Sequence, residues 1–179
     1  MISAEQIAPF RSASDDYGSA QWLKSHLAEL RQHCQPFYLT LQDFDEILRW
    51  KLRKQYGRQR KLRAVNTDEV VRNITGAAFS VVHQDSDYEV ELQVGILCTL
   101  RGVGVPVASA VLALVFPHKY AVIDFRGWRQ VFDERRTLFS IRDYRRYLGQ
   151  IRQLADVLGW DPQEVDFAIW EYDRVEGWR

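Results

Sequence analysis

Two glycines separated by one residue, Gly102 and Gly104, sit between two segments of helical period, and no other feature of the chain narrows its fold as much. The run reads Leu100-Arg101-Gly102-Val103-Gly104-Val105-Pro106-Val107-Ala108-Ser109-Ala110. Glycine reaches positive φ and, lacking Cβ, lets another backbone approach closely. The chain is therefore expected to turn back sharply here between two helices. Ala108, Ala110 and Ala113 are small enough for the second helix to pack tightly. Amides at its start, with the partial positive charge of a helix N-terminus, form a place for an anion such as a phosphate. The plainer reading of the same residues is a tight interhelical turn with glycine as the helix stop.

Helical period recurs on both sides of this turn. Trp22, Leu23, Leu27 and Leu30 mark an amphipathic helix that stops before Pro36. Thr40 to Tyr56 reads as the next, with Leu41, Phe44, Ile47, Leu48 and Leu52 inward, Gly57 as its stop and a basic loop to Arg63. Asn66 or Thr67 caps a third helix carrying Val70, Val71, Ile74, Ala77, Ala78 and Val81. Asp85 or Ser86 opens a fourth, with Val90, Val94 and Leu97. After the turn come a helix from Val105 to Phe116, a short extended piece from Tyr120 to Ile123, and a helix containing Trp128 and Val131. Ser140 to Leu158 follows, stopped by Gly159, and Asp161-Pro162 opens the last helix. No strand alternation of convincing length interrupts them. The expected fold is all-α, about eight helices. Residues 1–17 lack an apolar period and are expected to be loosely ordered, and 18–179 to form a single helical domain.

With 179 residues, 46% of them hydrophobic, the chain is long enough for one buried core. Six Trp predict a dense interior and some stacking surface. The longest apolar run, Val103 to Phe116, is too short to span a membrane. Met1-Ile2-Ser3-Ala4-Glu5 has neither a basic nor an apolar leader region, so no secretory signal is expected. Cys34 and Cys98 alone make neither a disulfide framework nor a metal cage, and a reducing, cytoplasmic location is the default. His26, His33, His83 and His118 show no ligand spacing, so no metal is expected. Net charge is zero, yet it is unevenly spread: Lys51 to Arg63 holds seven basic residues and no acid. Segregation of this kind can give a neutral protein a basic face for a phosphate backbone; its plainer reading is a solvated helix face.

The glycine run resembles the hairpin of the helix-hairpin-helix DNA glycosylases (the endonuclease III superfamily), whose usual form is L-P-G-V-G-x-K-T-A followed by a V-D-T-H-like segment. Here Val122-Ile123-Asp124-Phe125-Arg126 stands where that segment falls, and position 106 precedes Asp124 by eighteen residues, the family's spacing between its lysine and aspartate. The chain is also similar to a group of short members bearing G-V-G-V-P-V-A-S-A. The resemblance is specific over about 100–132. It is looser at Ile47–Lys51, Thr75–Phe79 and Val165–Trp170, which would be scaffold helices. The four-Cys iron–sulfur loop of some members is absent. Pro106 stands at the lysine position, so the resemblance implies a monofunctional glycosylase without strand cleavage. Arg101 replaces the usual proline, adding a phosphate contact, and Phe125-Arg126 replaces Thr-His.

The resemblance implies that Asp124 is the catalytic carboxylate, set beside C1′ of a flipped nucleotide to stabilise oxocarbenium-like charge and orient water. The plainer reading of Asp124 is a helix N-cap, and the two are compatible. Expected contacts to double-stranded DNA are Arg101, Gly102, Val103, Gly104 and Val105 of the hairpin, Lys51, Arg53, Lys54, Arg58 and Arg60 of the basic stretch, and Arg126 and Arg129. Tyr120, Trp128 and Trp50 are candidates for a base pocket or wedge, with burial in the core as the alternative for each. No cofactor is expected, a monovalent cation at the hairpin carbonyls being the one exception left open. Two other functions remain beside the enzyme: a DNA-binding module without chemistry, and a protein that meets a protein partner through its aromatic surface.

Overall fold

The computed structural model describes residues 2–12 and 17–177. The chain is all-helical, with no strand among the described residues. Helices α1 (Ala4–Ile7), α2 (Tyr17–His33), α3 (Leu41–Leu52), α4 (Arg60–Arg63), α5 (Asp68–Ser80), α6 (Ser86–Leu97), α7 (Val105–Val115), α8 (Phe125–Phe132), α9 (Ile141–Leu158) and α10 (Pro162–Glu176) follow in order. Eight of these, α2, α3 and α5 to α10, are eight residues or longer. None is long and apolar enough to cross a membrane.

Local chemistry sets most boundaries. Thr40 and Ser140 make reciprocal capping boxes with Asp43 and Asp143, which satisfy amides that the first helical turn leaves without partners. Thr67 caps α5 through the Val70 amide, and Asp85 caps α6. Gly159 ends α9 in the left-handed region, φ 65°.

Two expectations are corrected. The helix begun at Thr40 ends at Leu52 rather than at Gly57. Arg53 has φ 47°, and the chain continues as a 3₁₀ segment, Arg53–Gln59, into α4. The stretch expected to be loosely ordered is folded over residues 2–12. Ser3 caps α1 through Gln6, Ile7 is completely buried, and the Ile2 amide donates to the Gln130 carbonyl. Two buried isoleucines, Ile2 and Ile7, and a capping box anchor so short a segment without any apolar period. Residues 13–16 lie outside the described ones.

Helix α7 runs through the middle of the molecule. Every residue from Val107 to Val115 is buried, and α2, α3, α6, α9 and α10 all pack against it. Small residues on α7 allow that crowding, since the interaxial distance follows side-chain size. The core continues into Leu27, Ile47, Leu97, Tyr144, Ile151 and Ile169.

Candidate functional site

The hairpin forms as the glycines predict, but only one of them needs to be glycine for its backbone. Gly102 has φ 77°, and a Cβ there would lie 2.6 Å from Cγ of Arg63. Gly104 is extended and serves as the N-cap of α7. The turn is tied back to the bundle by Asn66, whose side chain accepts from the Arg101 amide at 3.1 Å and donates to the Arg101 carbonyl at 3.0 Å. Arg101 and Gly104 are exposed, while the side chains of Val103 and Val105 point inward and hold the turn down. Pro106 at N2 has no amide to offer, so Gly104 and Val105 carry whatever donor capacity the turn presents.

Asp124 lies near this same end of the bundle. The residue before it, Ile123, donates its amide to Ser109 Oγ at 3.1 Å, five positions into the helix that Gly104 caps. At 1.5 Å of rise per residue that is about 7 Å along α7 from the turn. Asp124 is the N-cap of α8: its Oδ1 accepts from the amides of Arg126 and Gly127, both at 2.9 Å. Both N-cap bonds go to one oxygen. The other, Oδ2, faces the ammonium of Lys51 at 3.9 Å. Capping therefore uses one oxygen of this carboxylate and leaves the other beside the amine.

Lys51 comes from the last turn of α3, seventy-three positions earlier. It lines a cavity with Trp50, Val122, Asp124, Tyr147 and Asp166, walled further by Arg53, Phe167 and Trp170. The Lys51 side chain is only 12% exposed. Burial pulls its pKa down, opposed by the nearby Asp124 and Asp166 carboxylates, and the net shift is downward. Asp166 accepts from the Val122 amide at 2.6 Å; burial still pushes its pKa well above the carboxylate range, against the pull of that bond and of Lys51. Burial likewise raises Tyr147, helped by Asp166 and Asp124. The Tyr147 hydroxyl and the Trp50 indole N–H have no hydrogen-bond partner among the described residues. The hydroxyl approaches α8 so closely that a Cβ on Gly127 would collide with it. The site is therefore an amine, two carboxyls and a phenol, gathered beside aromatic walls.

The cavity is small, about 60 Å³, room for roughly two waters at their share of liquid volume. A nucleobase enters only if wall side chains move. Trp50 and Arg53 also wall a neighbouring cleft of about 360 Å³ that holds Trp22, Leu23, Glu46 and Arg49. Among the described residues, no group of three or more His, Cys, Asp or Glu side chains is arranged to hold a metal ion.

The other residues singled out in the sequence separate into three groups. Lys54, Arg58 and Arg60 are exposed on the segment that crosses beside the hairpin, together with Arg101. Lys51 and Arg53 belong instead to the cavity, where the Arg53 guanidinium stacks 4.7 Å over Trp170. Arg126 and Arg129 are bound to Asp173, at 2.7 and 2.5 Å, so their charges are held by the fold. Of the three aromatic candidates, Trp50 reaches the cavity. Tyr120 and Trp128 are completely buried in the core, the alternative kept for each, and neither lines the cavity. Tyr120 donates to Gln93 at 2.6 Å, and Trp128 packs against Phe132 and Phe139. Residue type could not separate these cases, because a large aromatic serves a core and a pocket wall equally well.

Asp166, Tyr147, Phe167 and Trp170 were not foreseen as site residues. Asp166 did leave a signal: an acid between Val165 and Phe167, on the inward side of the last helix, has to be paired, protonated or functional. Tyr147 left none, since it falls on the apolar stripe of α9. Comparison of the chain with known protein families, with curated proteins and with solved structures gives no match.

Proposed function

We propose that the protein binds double-stranded DNA through the hairpin and the adjoining basic segment, and hydrolyses the N-glycosidic bond of a flipped nucleotide at Asp124. The observation that carries this reading is the position of Asp124 Oδ2. It is free of capping bonds, on a side chain that is 23% exposed, and beside a cavity about one helical turn and a half from the glycine turn, whose exposed amides would meet a phosphate. Exposed Arg101, Lys54, Arg58 and Arg60 supply sequence-independent phosphate contacts. A fixed carboxylate beside C1′ stabilises the developing positive sugar and orients water. The resemblance of residues 100–132 to the helix-hairpin-helix glycosylases supports the same reading.

The test is base release from duplex oligonucleotides carrying uracil, alkylated, oxidised or hypermodified bases, with alkali to cut abasic sites. Asp124→Asn is expected to lower release by about 10²–10⁴-fold, the usual contribution of a positioned acid–base group, with DNA affinity unchanged. Salt-dependent DNA binding with no release from any duplex by the wild type would instead leave a binding module.

The placement of Lys51 favours a second reading, in which the reaction does not stop at the abasic site. The sequence expectation of a monofunctional enzyme rested on Pro106 standing where an amine was looked for. Helix α3 brings an amine to the aspartate from elsewhere. A desolvated lysine is a carbonyl nucleophile. Its nitrogen would attack the C1′ aldehyde of an abasic sugar and expel water, leaving a C=N bond. Borohydride then reduces that bond to a stable amine. Wild type with a duplex containing a preformed abasic site is expected to give a trapped complex that Lys51→Met does not form. No trapping by the wild type returns the reading to simple hydrolysis.

A further inference from the structure

A second cleft lies behind the hairpin, between α3 and α4, and takes no part in the chemistry at Asp124. Its floor is one face of α3: Leu41, Phe44 and Leu48, spaced three and four apart, with Leu41 exposed at the rim and Phe44 and Leu48 buried beneath. The chain crosses that face as the 3₁₀ segment and α4 without filling the space, and about 540 Å³ remains open. Protein interiors leave few voids larger than a water, whereas ligand sites run from about 300 to 1,000 Å³.

Arginines supply the positive charge of this cleft. Arg63 lines it and is 8% exposed. One guanidinium nitrogen donates to the Tyr56 carbonyl and the plane stacks 4.8 Å from the Tyr56 ring, but Nη1 has no hydrogen-bond partner among the described residues. Arg60 adds a second, exposed cation. The one acid in the lining, Asp45, is already taken: it accepts from Arg49 at 2.7 Å and from the Tyr56 hydroxyl. An apolar floor with surplus positive charge and an unsatisfied buried donor asks for one kind of occupant.

We propose that this cleft binds a small organic anion, with its apolar body on Leu41, Phe44 and Leu48 and its acidic group on Arg63 and Arg60. Such a ligand is mostly hydrocarbon or aromatic and carries a single carboxylate, sulfonate or phosphate. Its site adjoins the DNA-facing turn: Arg63 packs under Gly102, and Asn66, also in the lining, holds both backbone groups of Arg101.

The intact chain is titrated with 1-anilinonaphthalene-8-sulfonate and with the neutral N-phenyl-1-naphthylamine, by calorimetry and fluorescence. The sulfonate is expected to bind at one equivalent and at least about tenfold more tightly than the neutral dye, a charge-assisted hydrogen bond being the difference. Two variants locate it without disturbing the buried Arg63. Arg60→Ala is expected to reduce the preference for the sulfonate. Ala64→Trp, which places an indole at an exposed position of the lining, is expected to abolish binding of both dyes while the melting transition remains cooperative. Failure of the sulfonate to bind, equal affinity for the two dyes, or binding unchanged in Ala64→Trp overturns the proposal.

Discussion

Asp173→Ala is expected to destabilise the protein by about 3 kcal/mol, although the residue lies within four positions of the described C-terminal end. The Asp173 side chain is fully buried and receives Arg126, Arg129 and Gln130 from α8, the last at 2.8 Å. Breaking a buried ion pair by removing one partner costs about 3–5 kcal/mol, because the other charge is left behind. The two arginine side chains are 29% and 22% exposed and regain some water, which sets the expectation at the lower end. Burial raises the Asp173 pKa, but the bonds from Arg129, Gln130 and Arg126 outweigh it and the net shift is downward from 3.8. A carboxyl whose folded pKa is depressed contributes stability above its unfolded pKa, and that contribution fades as pH falls through the folded value. The gap between wild type and Asp173→Ala in urea melts should therefore be full at neutral pH and shrink below about pH 4. A loss under about 1 kcal/mol at pH 7 would mean that Arg126 and Arg129 are held no better than surface ion pairs.

Trp128→Ala is expected to cost about 3–5 kcal/mol, the usual range for deleting a buried aromatic ring, and to lower the melting temperature by roughly 10 °C for a chain of this size. Trp128 is completely buried, its ring centroid 4.3 Å from that of Phe132 and 5.5 Å from that of Phe139, with the Arg136 guanidinium 4.9 Å over it. Its indole N–H has no partner among the described residues, so Trp128→Phe removes no hydrogen bond and should cost less than the alanine variant. Thermal melts separate this scaffold role from the base-stacking role the sequence also allowed. A wedge or pocket residue would lose DNA binding or base release with little change in melting. Trp128→Ala should lose stability first, and, under the proposed function, Trp128→Phe should keep the base release of the wild type. The converse pattern would favour the base-stacking role for the ring.

Both variants test places where side-chain type alone was ambiguous. An arginine after an N-cap can face a phosphate or a buried carboxylate, and a tryptophan can wall a pocket or fill a core. Asp173, forty-seven positions from Arg126, decides the first; the packing of α8 beneath Phe139 decides the second.

What the sequence determined by itself was local. Thr40, Thr67, Asp85, Ser140 and Asp161 start helices because the bonds that satisfy their first turns reach only two or three residues along the chain. Gly102 turns because a backbone angle belongs to one residue. Asp124 could be recognised because its neighbours place it at the start of α8 whatever else the chain does. The tertiary structure decided what these elements meet. Lys51, Asp124, Tyr147 and Asp166 lie on four different segments, and their convergence depends on how α3, α9 and α10 pack about the hairpin. The apolar period states which face of each helix turns inward, but not which polar group at the end of one helix confronts another. The close packing of the whole core fixes that, and with it the amine beside Asp124 that the hairpin does not supply.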